Sequence, residues 1–336
     1  MNRVPVHLKH LFYLSYEDAL WDILKKKNIR KESEILVPDF FCKDVEDNIK
    51  NHGYKVVHYH IKKDLSADIN DFKEQIKSHE PAVITVFHPV GITSNLFADR
   101  SWIKLLSKET ILIEDCVHRI INPSKIEIYK HNHFVINSLR KVVALQGSSV
   151  YGLKDDLNFT PPPLHQSFFY SLKVHLLWIL MNICSITGQY LSAEKLMIKG
   201  YDLIGDSILP AKGLPLFKVL EQFLDYDKIS KIKTEQANFY EERLKNIIKN
   251  PVAYKKSDFG KMMAWPVILN IETAPKILEK IRSKGLIIRF ELNDSVWSKN
   301  QKIIYLPMGP HITHSDQMRV CKIVTEALEC FPYDSN

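Results

Sequence analysis

The sequence predicts an α/β protein, with a mostly parallel central sheet and a smaller α+β lobe at the C-terminal end. Three observations predict it. Short apolar runs alternate with helix-period segments through the first half, the pattern of right-handed βαβ units. Two of those runs, 111–113 and 133–137, close on polar, ionisable residues, as strands do where a site is built at the ends of a parallel sheet. From residue 262 onward the pattern shifts to short strands and helices.

Taken in order, 14–27 reads as a helix starting at Leu14 or Ser15, with Ala19, Leu20, Ile23 and Leu24 on one face. A strand at 34–37 ends at Pro38, and a helix at 43–51 is stopped by Gly53. Strand 56–61, amphipathic helix 68–78 and apolar strand 81–87 follow, then the loop His88-Pro89-Val90-Gly91. Residues 102–107 read as helix and 111–113 as the next strand. Pro161-Pro162-Pro163 stiffens the chain and excludes helix. An apolar segment at 172–191 comes next, then 213–224 and a long charged helix from about 227 to 249. The C-terminal part reads as strand 263–271, helix 275–284, a stop at Gly285, strands 287–291 and 303–306, and a last helix 315–330. The domain boundary falls at 225, giving a large domain 1–225 with a helical insertion at about 164–200 and a lobe 226–336.

Composition narrows the classes. The chain of 336 residues is long enough for one large domain and a second lobe, and its net charge of +7 is modest. Its lysines are scattered and not interleaved with aromatics, which argues against nucleic acid as a partner. Five widely spaced cysteines without a CxxC pair argue against a disulfide framework or a zinc site, and no metal is expected. The start, MNRVPVHLKH, has no apolar core of a signal peptide, so a cytoplasmic location is expected. The charge-free part of 172–191 is shorter than the ~20 residues a spanning helix needs, so it is expected to be a buried or interface helix and not a membrane span.

The chemistry centres on residues 111–149. The run ILI ends in Glu114-Asp115, with Cys116, Val117 and His118 after it, and the run ending at Asn137 leads into Ser138-Leu139-Arg140-Lys141. A carboxylate and a lysine delivered from strand ends are what a pyridoxal phosphate (PLP) enzyme needs. The lysine forms a Schiff base with the aldehyde, and the acid keeps the pyridine nitrogen protonated. The plainer reading is that Asp115 caps a helix and Lys141 is a solvated loop residue.

The blocks ILIEDCVH, SLRKVVALQGSS and EILVPDFFCKDV resemble, in order and spacing, those of the DegT/DnrJ/EryC1/StrS aminotransferases, from about residue 12 to 152 and more weakly from 225 to 328. The closing LPMGP and DQMRVCKIV are also similar to that family. The resemblance implies fold type I, PLP as cofactor, Lys141 as Schiff-base lysine and Asp115 as pyridine partner. It implies a phosphate contact at Ser138, a contact from His118 near the cofactor's 3-hydroxyl, and a ring-stacking residue in the loop after Pro38. Phe41 is the choice there, with Phe40 or Cys42 one place away. His88 and Arg140 are candidates for the substrate side. The phosphate turn at the first helix departs from the family: Ser15 is kept, but Tyr16 stands for a glycine and Glu17 for a threonine or arginine.

The expected activity is transfer of an amino group from an amino acid, glutamate on the resemblance, to a keto-sugar that is nucleotide-linked and destined for a surface polysaccharide. A homodimer is expected. The alternatives are another PLP reaction, such as dehydration or elimination, and a non-catalytic relative that binds a sugar nucleotide or a partner protein.

Overall fold

The computed structural model describes residues 5, 7–141, 146–204, 210–248 and 251–331, the side chain of residue 190 apart. The first four residues of the basic start, positions 142–145 of the lysine block and the final residue of the helix expected to reach 249 lie outside the described residues.

The organising element is one seven-stranded sheet. Its strands are β1 (Leu8–Tyr13), β2 (Glu34–Pro38), β3 (Lys55–Tyr59), β4 (Val83–Phe87), β5 (Ile111–Cys116), β6 (His133–Asn137) and β7 (Ser148–Leu153), in the order β1-β7-β6-β5-β4-β2-β3. The run from β6 to β3 is parallel, and β7 and β1 close that edge antiparallel. The strands β4 and β6 are buried along their whole length, which is why they read as continuous apolar runs and not as alternating ones. Helices α1 (Tyr16–Lys26), α2 (Lys43–Asn51) and α3 (Ile69–His79) are the crossovers. Side chains fix where two of them begin: Ser15 accepts from the Asp18 amide, and Asp68 from the amides of Asn70 and Asp71.

After the sheet come α4 (Phe168–Ile186), α5 (Tyr190–Leu203), α6 (Pro215–Gln222) and α7 (Tyr226–Leu244). The C-terminal part holds a two-stranded antiparallel sheet, β8 (Trp265–Asn270) with β9 (Gln301–Leu306), packed with α8 (Ala274–Ser283) and α9 (His314–Glu329). One apolar core runs from β4 and α3 through α7 into β8, β9 and α9.

Several features differ from what was expected. No strand was expected at β1 or β7, whose antiparallel edge mixes polar residues and a glycine into the strands. Residues Arg100–Leu105 form a 3-10 turn where a helix was expected. The strand expected at 287–291 reduces to one bridge, Phe290 to Ile304. The apolar segment expected to be a buried or interface helix is buried on one side only. α4 packs Ser171, Val174, His175 and Trp178 inward, but Phe169 is 83% and Ile186 86% exposed. By length and composition alone α4 is long and apolar enough to cross a bilayer, a test that the core helix of a soluble protein also passes.

The junction of the two sheets carries a buried charge. Lys233 of α7 donates to the carbonyls of Met263 (2.8 Å) and Met308 (3.0 Å), and burial lowers its pKa to about 7. The unfolded chain holds that proton to a higher pH, so between pH 7 and about 10.4 unfolding takes up a proton and stability rises with pH. The neutral amine still serves both carbonyls. Denaturant melts of wild type and Lys233→Met should therefore diverge as pH rises from 7 to 9, with wild type gaining up to about 1.4 kcal/mol per pH unit. A constant difference would place the Lys233 pKa outside that window.

Candidate active site

At the carboxyl ends of β4, β5 and β6 lies a cavity of ≈ 420 Å³. The first turn of α1, the start of α2, one side of α5 and the segment Arg289–Asp294 close around it. The parallel register sets Phe87, Asp115 and Ile136 side by side, so Asp115 stands at the middle of the sheet's end. It is 2% exposed, and its Oδ1 accepts from the Val117 amide at 2.9 Å. Burial pushes its pKa up to about 7. The Val117 amide and the Tyr16 hydroxyl pull against that rise, and the neighbouring Glu17 charge adds to it.

Lys141 faces the cavity from the turn after β6. Its Nζ lies 5.5 Å from the centroid of the Tyr201 ring. Burial works to lower the lysine pKa, but Tyr201 and Glu291 outweigh it, and the net direction is up. Arg140 stacks on Tyr201 at 4.5 Å and on Trp178 at 5.2 Å. Its Nε and Nη1 are buried without an acceptor. Arg289 approaches the same Tyr201 ring at 5.9 Å.

The other end of the cavity is acidic. The Ser15 hydroxyl is committed to its helix: it donates to Asp18 Oδ2 at 2.7 Å and accepts from the Asp18 amide at 3.1 Å. Ser15 does not line the cavity, whereas Tyr16 and Glu17 do. The Tyr16 side chain is buried, its hydroxyl without a partner of normal geometry and its pKa raised by burial first and by the Asp115 charge second. Glu17 is 8% exposed, and its Oε2 is buried without a partner. Glu17 thus faces the cavity and not solvent.

Phe41, Cys42, His118 and Ser138 also line the cavity. Phe40 turns into the core against Trp297 and Phe87. Cys42 precedes α2, and burial raises its thiol pKa to about 11, so it is held as a thiol. His118 packs edge-on against Phe87 and Tyr305, and burial drives its pKa well below the ordinary value, so the ring is neutral.

His88 does not reach the cavity. Glu114, one place before Asp115, leaves the opposite face of β5, and His88 Nε2 meets it at 3.0 Å. His133 Nε2 stands 3.3 Å from the other carboxylate oxygen. In both rings Nδ1 accepts a backbone amide, from Ser94 in His88 and from Tyr129 in His133. The proton therefore sits on Nε2 in each ring; His88 donates it to Glu114, whereas His133 Nε2 lies close to the carboxylate without hydrogen-bond geometry. Burial alone would raise the Glu114 pKa, but the N–H groups of His133 and His88 overcome it and hold the carboxyl well below its usual range.

Eight of the ten side chains picked from the sequence thus share one cavity: Tyr16, Phe41, Cys42, Asp115, His118, Ser138, Arg140 and Lys141. Sequence reasoning missed Tyr201 and Arg289. Both come from segments distant in the chain, and a lone Tyr or Arg in a helix or loop carries no local signal.

No family model and no curated protein sequence matches the chain. Solved structures do. Helicobacter pylori PseC, an aminotransferase involved in the biosynthesis of pseudoaminic acid, is similar at TM-score 0.62 and 14% identity, over 96% of this chain and 87% of that one. A DegT DnrJ EryC1 StrS aminotransferase from Brucella abortus is similar at TM-score 0.58 and 14% identity, over 94% and 85%. NtdA from Bacillus subtilis, solved with bound cofactor PMP, is similar at TM-score 0.60 and 13% identity, over 95% and 73%. At these identities the likeness is one of fold. Along most of its length the chain has the fold of the DegT/DnrJ/EryC1/StrS sugar aminotransferases.

Proposed function

We propose that the chain is a PLP-dependent aminotransferase acting on a sugar. One observation carries the reading: a lysine and a buried carboxylate from two strand ends face one cavity, in the fold of enzymes that perform this reaction. The donor set fits the ring and aldehyde ends of the cofactor. Asp115 would pair with the pyridine nitrogen, Phe41 offers a flat surface, and Lys141 would hold the carbonyl carbon. When bound, PLP supplies an electron sink for proton removal next to nitrogen. The chain's own work is then as follows. Asp115, ionised, would keep the pyridine nitrogen protonated. Lys141 would take up and return the proton at its Nζ. The neutral His118 ring can hydrogen-bond without adding charge. The acceptor is a keto-sugar, nucleotide-linked and used for a surface polysaccharide, and the donor is glutamate; the family resemblance supports these finer points.

Lys141→Ala should abolish turnover and the absorbance of covalently held cofactor. Full transamination by that variant would move the site elsewhere.

A second reading is favoured by the acidic end of the cavity. The N-terminus of α1 carries about half a positive charge and free amides, which draw a phosphate. Here the buried, unpartnered Glu17 carboxylate competes for them. This supports a relative with weakened cofactor binding, or one that binds a sugar nucleotide or a partner protein without catalysis. A lyase or dehydratase on the same cofactor is separated from a transaminase by whether glutamate yields 2-oxoglutarate. Glu17→Thr should tighten PLP by about 1–3 kcal/mol, the scale of a charge-assisted hydrogen bond gained. Titration of apo wild type and variant measures it. Equal affinities would show the carboxylate to be harmless, and no binding by either protein would favour the non-catalytic reading.

The exposed apolar side chains of α4, α5 and α6 fit a second copy of the chain. Leu176, Ile179, Leu180 and Ile183 lie on α4, and Ile198 of α5 is both exposed and part of the cavity wall. A face of this size is rare on a monomer. Sedimentation should give a dimer for wild type and a monomer for Ile183→Glu. A monomeric wild type that floats with liposomes would assign the face to lipid.

A further inference from the structure

We propose that Tyr201, carried into the cavity by the α4–α5 hairpin, pairs with Lys141 as a phenolate and holds it as an ammonium. The inference rests on the role given to Lys141 above and adds a second group to it. The hairpin fixes the phenol. Trp178 meets the Tyr201 ring edge-on at 5.6 Å, and Ile204, just after it, is buried in the cluster with Val174 and Trp178. Tyr201 therefore has one place to go, against Lys141 Nζ.

Three cations surround that phenol: Arg140 at 4.5 Å, Lys141 at 5.5 Å and Arg289 at 5.9 Å from the ring centroid. Burial on its own raises a phenol's pKa, yet here the charges of Lys141, Arg140 and Arg289 outweigh it and the direction is down. The Lys141 pKa moves the opposite way, with Tyr201 the larger of the two raising influences and Glu291 the smaller. The remaining ionisable groups of the cavity are Asp202 on the same helix, Glu17 and Tyr16 on α1, Cys42, Lys43 and Asp44 at the start of α2, Asp115 in β5, His118 after it, and Asp294. The phenol and the ammonium thus move apart in proton affinity, the phenol down and the ammonium up, so they stand as a phenolate–ammonium pair, with Arg140 and Arg289 adding to the stability of the phenolate.

The ammonium is the unreactive form of the lysine, so the phenolate withholds the nucleophilic amine for as long as the pair stands. A tyrosine from an inserted hairpin would in this way set when the lysine is reactive.

Competitive acetylation of the cofactor-free protein with acetic anhydride across a pH series, read at Lys141 by peptide mass spectrometry, tests this without PLP. In Tyr201→Phe the midpoint for Lys141 should fall by about one pH unit, so that at pH 8 its acetylation is about tenfold faster than in wild type. Arg140→Gln should move it in the opposite direction, because a like charge is removed. A second readout is independent of the lysine. The ultraviolet difference between wild type and Tyr201→Phe should show one tyrosine ionising below the ordinary value near 10. An unchanged Lys141 midpoint in Tyr201→Phe, or a Tyr201 that ionises at or above the ordinary value, overturns the proposal. A shifted midpoint in a protein that fails to bind PLP would keep the proton pair and remove the cofactor reading. PLP binding with an unshifted midpoint would do the reverse.

Discussion

Along β5 successive side chains leave opposite faces of the sheet, and the cavity depends on that alternation. Glu114 and Asp115 are adjacent carboxylates that would repel each other if they shared a face. The strand sends them apart. Asp115 goes toward the cavity, where burial leaves it easily protonated. Glu114 goes to the reverse side, where two imidazole N–H groups hold it ionised. The same side chain chemistry is poised in two states a residue apart, and of the two only Asp115 faces the cavity that holds Lys141. The parallel register with β4 and β6 then decides what surrounds it, by setting Phe87 on one side and the end of β6, which leads to Lys141, on the other.

Much of this was legible in the sequence. The central strands announced themselves as continuous apolar runs because both faces are covered, and their polar ends marked the functional rim. Lys141 and Asp115 could be picked because each lies at or just after a strand end, and Phe41 and Ser138 because their blocks resemble those of a known family. The outer strands β1 and β7 were not legible, since an antiparallel edge tolerates polar residues and its pairing is fixed by partners far along the chain. His88 was misplaced for a related reason. It too follows a strand, but the loop turns its ring to Glu114, and which face a loop residue takes depends on bonds such as that from the Ser94 amide. Tyr201 and Arg289 were invisible because their importance lies in where the hairpin and the C-terminal segment pack. The exposure of α4 was also unreadable, as apolar composition is the same for a helix covered by its own chain and one covered by another.

The cavity is electrically divided. Glu17 and Asp115 stand on the side of α1 and β5, and Arg140, Lys141 and Arg289 gather around Tyr201. Unpaired groups occur at both ends, an oxygen of Glu17 and two nitrogens of Arg140. Buried polar atoms without partners are costly. Their presence at both ends of a cavity that holds a lysine and a neutral imidazole is consistent with a site whose hydrogen bonding is completed by what it binds.

The imidazole pair behind the sheet has a consequence for metal chemistry. His88, Glu114 and Cys116 offer ligand atoms within 4.8 Å of one another, a spacing that suits a divalent cation. A metal needs the lone pair of His88 Nε2, however, and that nitrogen carries the proton because Nδ1 is occupied as the acceptor of the Ser94 amide and faces Arg119 at 3.2 Å. Metal-bound histidines donate through their second nitrogen. Here that nitrogen would have to give up its acceptor role or the ring become an anion. Burial also keeps the Cys116 thiol protonated, its pKa raised well above the ordinary value. The backbone thus selects a tautomer, and the tautomer closes to zinc-like ions a cluster whose residue types alone would invite them.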